Sequence, residues 1–160
     1  TNLEYAATWG ELVTALAERA ETGTDYINVA SCVQMQFTAF EDKEECKQFA
    51  HENYSKAIDA IDDIQYLVGL VGGHLNEEYY ENEELTTKAG EKALASASTF
   101  QDYAYICFDD DERCSFSDTE IYKTAAAKAV ELKDQADEDE MDNFKMMLDE
   151  WEDEETLGLL

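Results

Sequence analysis

The chain has 160 residues, 44% of them hydrophobic, with 39 acidic against 11 basic residues and a formal net charge of −28. That length suits one domain with a real core, and the apolar content is too high for a disordered acidic tail. The charge excludes direct binding to nucleic acid or to an anionic membrane, because like charges repel at long range. It points instead to cations, basic protein surfaces or a high-salt setting. Nine of the eleven basic residues are Lys and four residues are Cys, which argues against extreme halophily. No run of about 18 apolar residues is present to span a bilayer, and no signal-peptide pattern opens the chain.

Proline is absent, which favours uninterrupted helix. Thr8 and Glu11 fit a capping box. Leu12, Val13, Leu16, Ala17 and Ala20 follow at helical spacing, and Gly23 is expected to close this short helix. Thr24 or Asp25 is expected to cap the next, whose stripe is Tyr26, Val29, Val33, Phe37 and Phe40. The alternation at 33–37 makes a strand the competing reading there. From Asp42 a longer helix is expected through Cys46, Tyr54, Ile58, Ile61, Leu67 and Val71, stopped by the glycine pair 72–73 in a left-handed cap. A polar connection leads to a helix from about Leu85 to Phe108. The Ser117–Glu120 spacing is a second capping box, and it opens a last helix through Trp151 whose pattern weakens at 137–143. The expected fold is all-α: a single acidic domain over 1–160, built as an antiparallel up-down bundle of four substantial helices plus a short N-terminal one.

Up-down topology gathers Cys32, Cys46, Cys107 and Cys114 towards one end of that bundle. Two disulfides there are expected, with the pairing open among three alternatives. Such bridges imply a secretory, vesicular or other oxidising compartment. The competing readings are four buried thiols or a four-cysteine zinc site. Asn53-Tyr54-Ser55 is a glycosylation sequon of little weight.

Chemistry is sparse. His51 and His74 are the two histidines, neither falls in a triad or a di-iron spacing, and no phosphate loop is present, so no enzyme and no resident cofactor are expected. A helix–loop–helix calcium loop has its ligands at positions 1, 3, 5, 7, 9 and 12, and the stretch from Cys107 to Glu120 meets that template in part when Asp109 is position 1. Asp109, Asp111, Ser117 and Glu120 fall on ligand positions and make a weak Ca2+ candidate. Arg113 stands where a ligand belongs, and Cys114 where the loop needs glycine. Residues 134–160 combine acids with Phe144, Leu148 and Trp151 at helical spacing, either as a core-packed helix with a solvated acidic back or as a partner-docking helix.

The function these features suggest is a non-enzymatic acidic structural or assembly protein, a subunit of a larger complex or secretory matrix, weakly responsive to calcium. Its expected partners are a basic protein surface, divalent cations or further copies of itself. The alternatives are a small helical binding module docking on a basic partner, or a viral or halophile protein whose acidity serves solvation only.

Overall fold

The computed structural model describes residues 8–36, 39–77, 80–109, 114–117 and 119–160. The fold is all-α, but its helices are shorter and more numerous than the expected four long ones and a short one. The chain divides into two compact units, Thr1–Ile61 and Asp62–Leu160.

The first unit holds α1 (Trp9–Ala17), α2 (Gly23–Gln36) and α3 (Lys43–Ala60). The Thr8 hydroxyl accepts from the Glu11 amide at 3.1 Å while the Thr8 amide donates to the Glu11 carboxylate at 3.2 Å, the expected capping box. α1 ends at Ala17, so Gly23 does not close it; Gly23 instead opens α2. Its lack of a side chain has a packing cause, since a Cβ there would collide with the Ile61 side chain. The reciprocal pair that starts α2 is Thr22 with Asp25: the Asp25 carboxylate accepts from the Thr22 amide at 3.0 Å and the Thr22 hydroxyl accepts from the Asp25 amide at 3.2 Å. Helix extends to Gln36, which removes the strand reading up to that residue; Phe37 lies outside the described residues. Val13, Val33, Ala39 and Cys46 form a core joined by Phe40 and Phe49, whose rings are 5.2 Å apart. The sequon is closed off: Asn53 is buried and its side-chain amide donates to the Phe49 carbonyl at 2.8 Å.

The second unit holds α4 (Ile64–Leu70), a π-helical turn (Val71–Leu75), a short antiparallel ladder of β1 (Asn76–Glu77) with β2 (Tyr80–Glu81), then α5 (Glu83–Ser96), α6 (Phe100–Cys107), α7 (Glu120–Glu131), a 3-10 turn (Lys133–Gln135), α8 (Glu138–Glu150) and α9 (Glu154–Leu157). Three expected helices are therefore interrupted, each at a capping residue. Ile61 turns extended and Asp63 caps α4, its carboxylate accepting from the Tyr66 amide at 2.9 Å. Thr99 and Asp102 form a capping box that divides the expected 85–108 helix. Asp137 and Glu140 form another, so 137–143 is a helix start and the break lies before it, at 132–136. The glycine pair does not make a left-handed cap: no described glycine has positive φ, and the chain passes through the π turn. Gly90 lets α5 approach α7, since a Cβ there would meet Ile121 and Phe116 at 2.8–2.9 Å. Leu67, Val68, Leu85, Phe100, Ile106 and Phe116 are among the buried side chains of this unit. Among the described residues no helix is long and apolar enough to cross a membrane.

Candidate functional site

The segment from Cys107 to Glu120 connects α6 to α7. α6 ends in an extended Phe108, whose amide donates to the Ala104 carbonyl. Asp109 follows and is buried. Asp111 and Arg113 lie outside the described residues. Cys114, Ser115 and Phe116 are buried, and the Ser117 amide donates to the Cys114 carbonyl at 3.2 Å to close a turn. The cap of α7 is Thr119, not Ser117. Thr119 is extended, its hydroxyl accepts from the Tyr122 amide at 3.3 Å, and Ser117 is held in the preceding turn.

The calcium candidates are thus placed differently from one another. Asp109 is buried, Ser117 is exposed, and Glu120 is exposed and ion-paired to Lys123 at 2.7 Å. Among the described residues no group of three or more His, Cys, Asp or Glu gathers to hold a metal ion.

All four cysteines are free thiols, so the expected bridges are not formed here; Cys32 is exposed and the other three are buried. They divide between the units, Cys32 and Cys46 in the first and Cys107 and Cys114 in the second. Burial pushes the Cys107 thiol well above its usual range, with the neighbouring Cys114 and Asp153 charges adding to the shift. Cys107 is therefore a poor nucleophile at neutral pH.

The partner-docking residues also separate. Phe144 and Leu148 are core: the Phe144 ring packs edge-on against Phe100 at 5.5 Å and tilted against Phe108 at 5.9 Å. Their helical spacing marks the face of α8 that this unit itself covers. Trp151 is 44% exposed.

Trp151 belongs to a site the sequence did not reveal, a groove of about 620 Å³ between α7 and the α8–α9 end of the chain. Tyr122, Ala126 and Val130 line one side, Trp151, Asp153 and Leu159 the other. Its rim carries Lys123, Glu152 and Glu155. The Tyr122 hydroxyl donates to the Asp153 carboxylate at 2.7 Å. Burial, and then that carboxylate, raise the Tyr122 phenol far above its usual range. For Asp153 burial acts upwards, but hydrogen bonds from the Thr156 amide and side chain and from Tyr122 outweigh it and hold the carboxyl below its ordinary value. Asp153 also caps α9 through the Thr156 amide at 2.9 Å. An Asp three residues before a Thr was a readable capping signal; its pairing with Tyr122 was not.

Comparison with protein families, with curated proteins and with solved structures finds no match.

Proposed function

We propose that the chain is a non-enzymatic acidic binding protein, a subunit of a larger assembly that docks a basic, partly apolar segment of another protein in the α7–α9 groove. The observation that carries this reading is the groove itself: exposed Trp151 and Leu159, 44% and 58% accessible, beside the carboxylates of Glu152, Asp153 and Glu155. Exposed apolar area of this kind gains from being covered. The charge selects what covers it. Twenty-eight of the thirty-nine acidic residues and seven of the eleven basic ones lie in the second unit. That field attracts cationic segments at long range and repels anionic ones. Aromatic anchors in a charged rim are the usual source of docking energy.

The test is calorimetric titration of the whole chain with three peptides: one with Lys and Leu at helical spacing, one of the same composition scrambled, and one with Glu in place of Lys. The spaced basic peptide is expected to bind most tightly and the acidic one not at all. Trp151→Ala and Leu159→Ser are expected to weaken the first by about tenfold. Equal binding of the scrambled peptide, or no loss in both variants, would reduce the interaction to charge and remove the groove from it.

A further inference from the structure

We propose that a second cavity, between α6 and α8, binds a small neutral phenol. Its volume is about 260 Å³. Phe100 and Phe108 line it from the α6 side, Phe144 and Met147 from α8, and all four are buried. The three rings pack as a cluster. Phe144 stands edge-on to Phe100 at 5.5 Å, with an interplanar angle of 85°, and tilted to Phe108 at 5.9 Å. Gln101 and Asn143, both exposed, also line the cavity.

The chemistry of the occupant follows from these groups. An apolar cavity of about 150 Å³ holds benzene, so this one has room for an aromatic ring with a polar substituent. A further ring gains from edge-to-face contact with the phenylalanines and from the Met147 sulfur. The charge of the occupant is set by two carboxylates at the cavity, Asp109 and Glu140. An anion is repelled by both and by the field of the whole chain. A cation would lose its water on entry, and neither carboxylate is reserved to compensate it. Asp109 is already engaged within the chain, and Glu140 accepts from the Asp137 amide at 3.0 Å in the cap of α8. A neutral molecule escapes both penalties. Its polar end answers to Gln101 and Asn143. Each primary amide carries an acceptor and donors side by side, and a hydroxyl, donor and acceptor at once, can pair with either. A phenol joins ring and hydroxyl, and with a pKa of about 10 it stays neutral at neutral pH. It can arrive as a free molecule or as a tyrosine side chain of a partner. The cavity shares no lining residue with the α7–α9 groove, so phenol binding holds whether or not that groove docks a peptide.

The test is titration of the whole chain with p-cresol, followed by amide NMR shifts, with toluene, 4-methylcyclohexanol and benzylammonium at equal ionic strength as controls. Saturable shifts around Phe100, Phe108 and Phe144 are expected for p-cresol. Toluene keeps the ring and lacks the hydroxyl, and is expected to bind about three- to tenfold more weakly, the scale of one lost hydrogen bond. 4-Methylcyclohexanol keeps the hydroxyl and lacks the aromatic ring, and is also expected to bind more weakly. Gln101→Leu and Asn143→Leu change exposed side chains and leave the packed rings in place. The double variant is expected to bring p-cresol down to the affinity of toluene. N-acetyl-tyrosine amide separates the sources. Binding comparable to p-cresol points to a tyrosine side chain, and binding of p-cresol alone points to a free phenol. Equal affinity of the parent protein for toluene would make the cavity merely apolar and overturn the proposal. So would tighter binding of benzylammonium at these residues, p-cresol shifts centred on Trp151 instead, or no saturable p-cresol shifts at all.

Discussion

The hydroxyl of Tyr122 donates to the carboxylate of Asp153 at 2.7 Å, across 31 residues of sequence. Tyr122 stands on the first turn of α7 and Asp153 at the N-cap of α9, so one hydrogen bond joins the two walls of the groove. The approach to it is unusual. Glu152, immediately before Asp153, has φ 58, the single described non-glycine residue with positive φ, a conformation that L-residues adopt at some cost. Packing on this side is shared by Phe108, whose ring lies 5.9 Å from Tyr122 and 6.4 Å from Trp151.

Removing the phenol oxygen tests that link. Tyr122→Phe keeps the ring on Phe108 and deletes the donor. It is expected to cost about 1.5 kcal/mol of stability, the lower end of the range for a hydrogen bond to a charged group, because the pair is only partly buried. Urea unfolding of Tyr122→Phe, Asp153→Asn and the double variant gives the coupling energy. A coupling indistinguishable from zero would mean that the link does not hold α9 in solution.

The same pair has a pH signature. The Asp153 carboxyl is lowered from 3.8 in the folded protein. Its contribution to stability is therefore present above that value and is lost as pH falls through the lower folded value. Tyr122 is raised from 10.0, so its contribution is present below that value and is lost as pH rises beyond it. Asp153→Asn retains a good capping residue while removing the charge. The stability gap between the parent and this variant is expected to be constant from about pH 5 to 9 and to close in acid below 3.8. Taking the difference cancels the general relief of self-repulsion near the isoelectric point. A gap that persisted unchanged into strong acid would show that the charge of Asp153 contributes nothing.

Thiol chemistry should sort the cysteines by environment. Four thiols are expected to titrate in denaturant without reductant. In the native protein an alkylating reagent at neutral pH should reach the exposed Cys32 first and Cys107 last, because burial and neighbouring negative charge suppress the Cys107 thiolate. Peptide mapping after timed quenching reads the order. Recovery of two thiols or fewer in denaturant would restore the bridges, and with them the oxidising compartment that the cysteine spacing suggested.

Helix class and the Thr8–Glu11 cap were legible in the sequence because both depend on residues within one turn of each other. Helix ends were harder to read. Ile58, Ile61, Ile64 and Leu67 continue one stripe past Asp63, yet Asp63 adopts φ −80, ψ 125 and starts a new helix. Thr99–Asp102 and Asp137–Glu140 carry the same three-residue signal as Thr8–Glu11, outweighed in reading by the apolar spacing around them. The sites were less legible still. Spacing showed that Phe144 and Leu148 share a face of α8, but not that Phe100 and Phe108 cover Phe144. Asp109 looked like a loop ligand because its neighbours are acidic. It is buried and lines one cavity with Phe144 and Met147 of α8, which lie far along the chain.

The charge makes the last prediction. At −28 over 160 residues, self-repulsion opposes compaction, and the second unit holds most of the excess. Ion pairs do little to offset it. Lys47–Glu44, Lys123–Glu120 and Lys128–Glu131 are i,i+3 pairs on exposed helix faces, where each contributes only a few tenths of a kcal/mol. Screening shortens the range of repulsion to about 10 Å at 0.1 M salt, so sodium chloride is expected to raise the melting temperature. The rise should be steepest at low ionic strength and should level off within the first few tenths molar. Calcium is the informative second arm. If Asp109, Asp111, Ser117 and Glu120 ligate it, millimolar calcium must raise the melting temperature beyond sodium at equal ionic strength. Amide substitution of Asp109, Asp111 and Glu120 must then remove the excess while leaving the sodium effect. Equal action of the two salts on the parent protein would leave Asp109 a buried residue just past the end of α6 and Glu120 to its ion pair with Lys123.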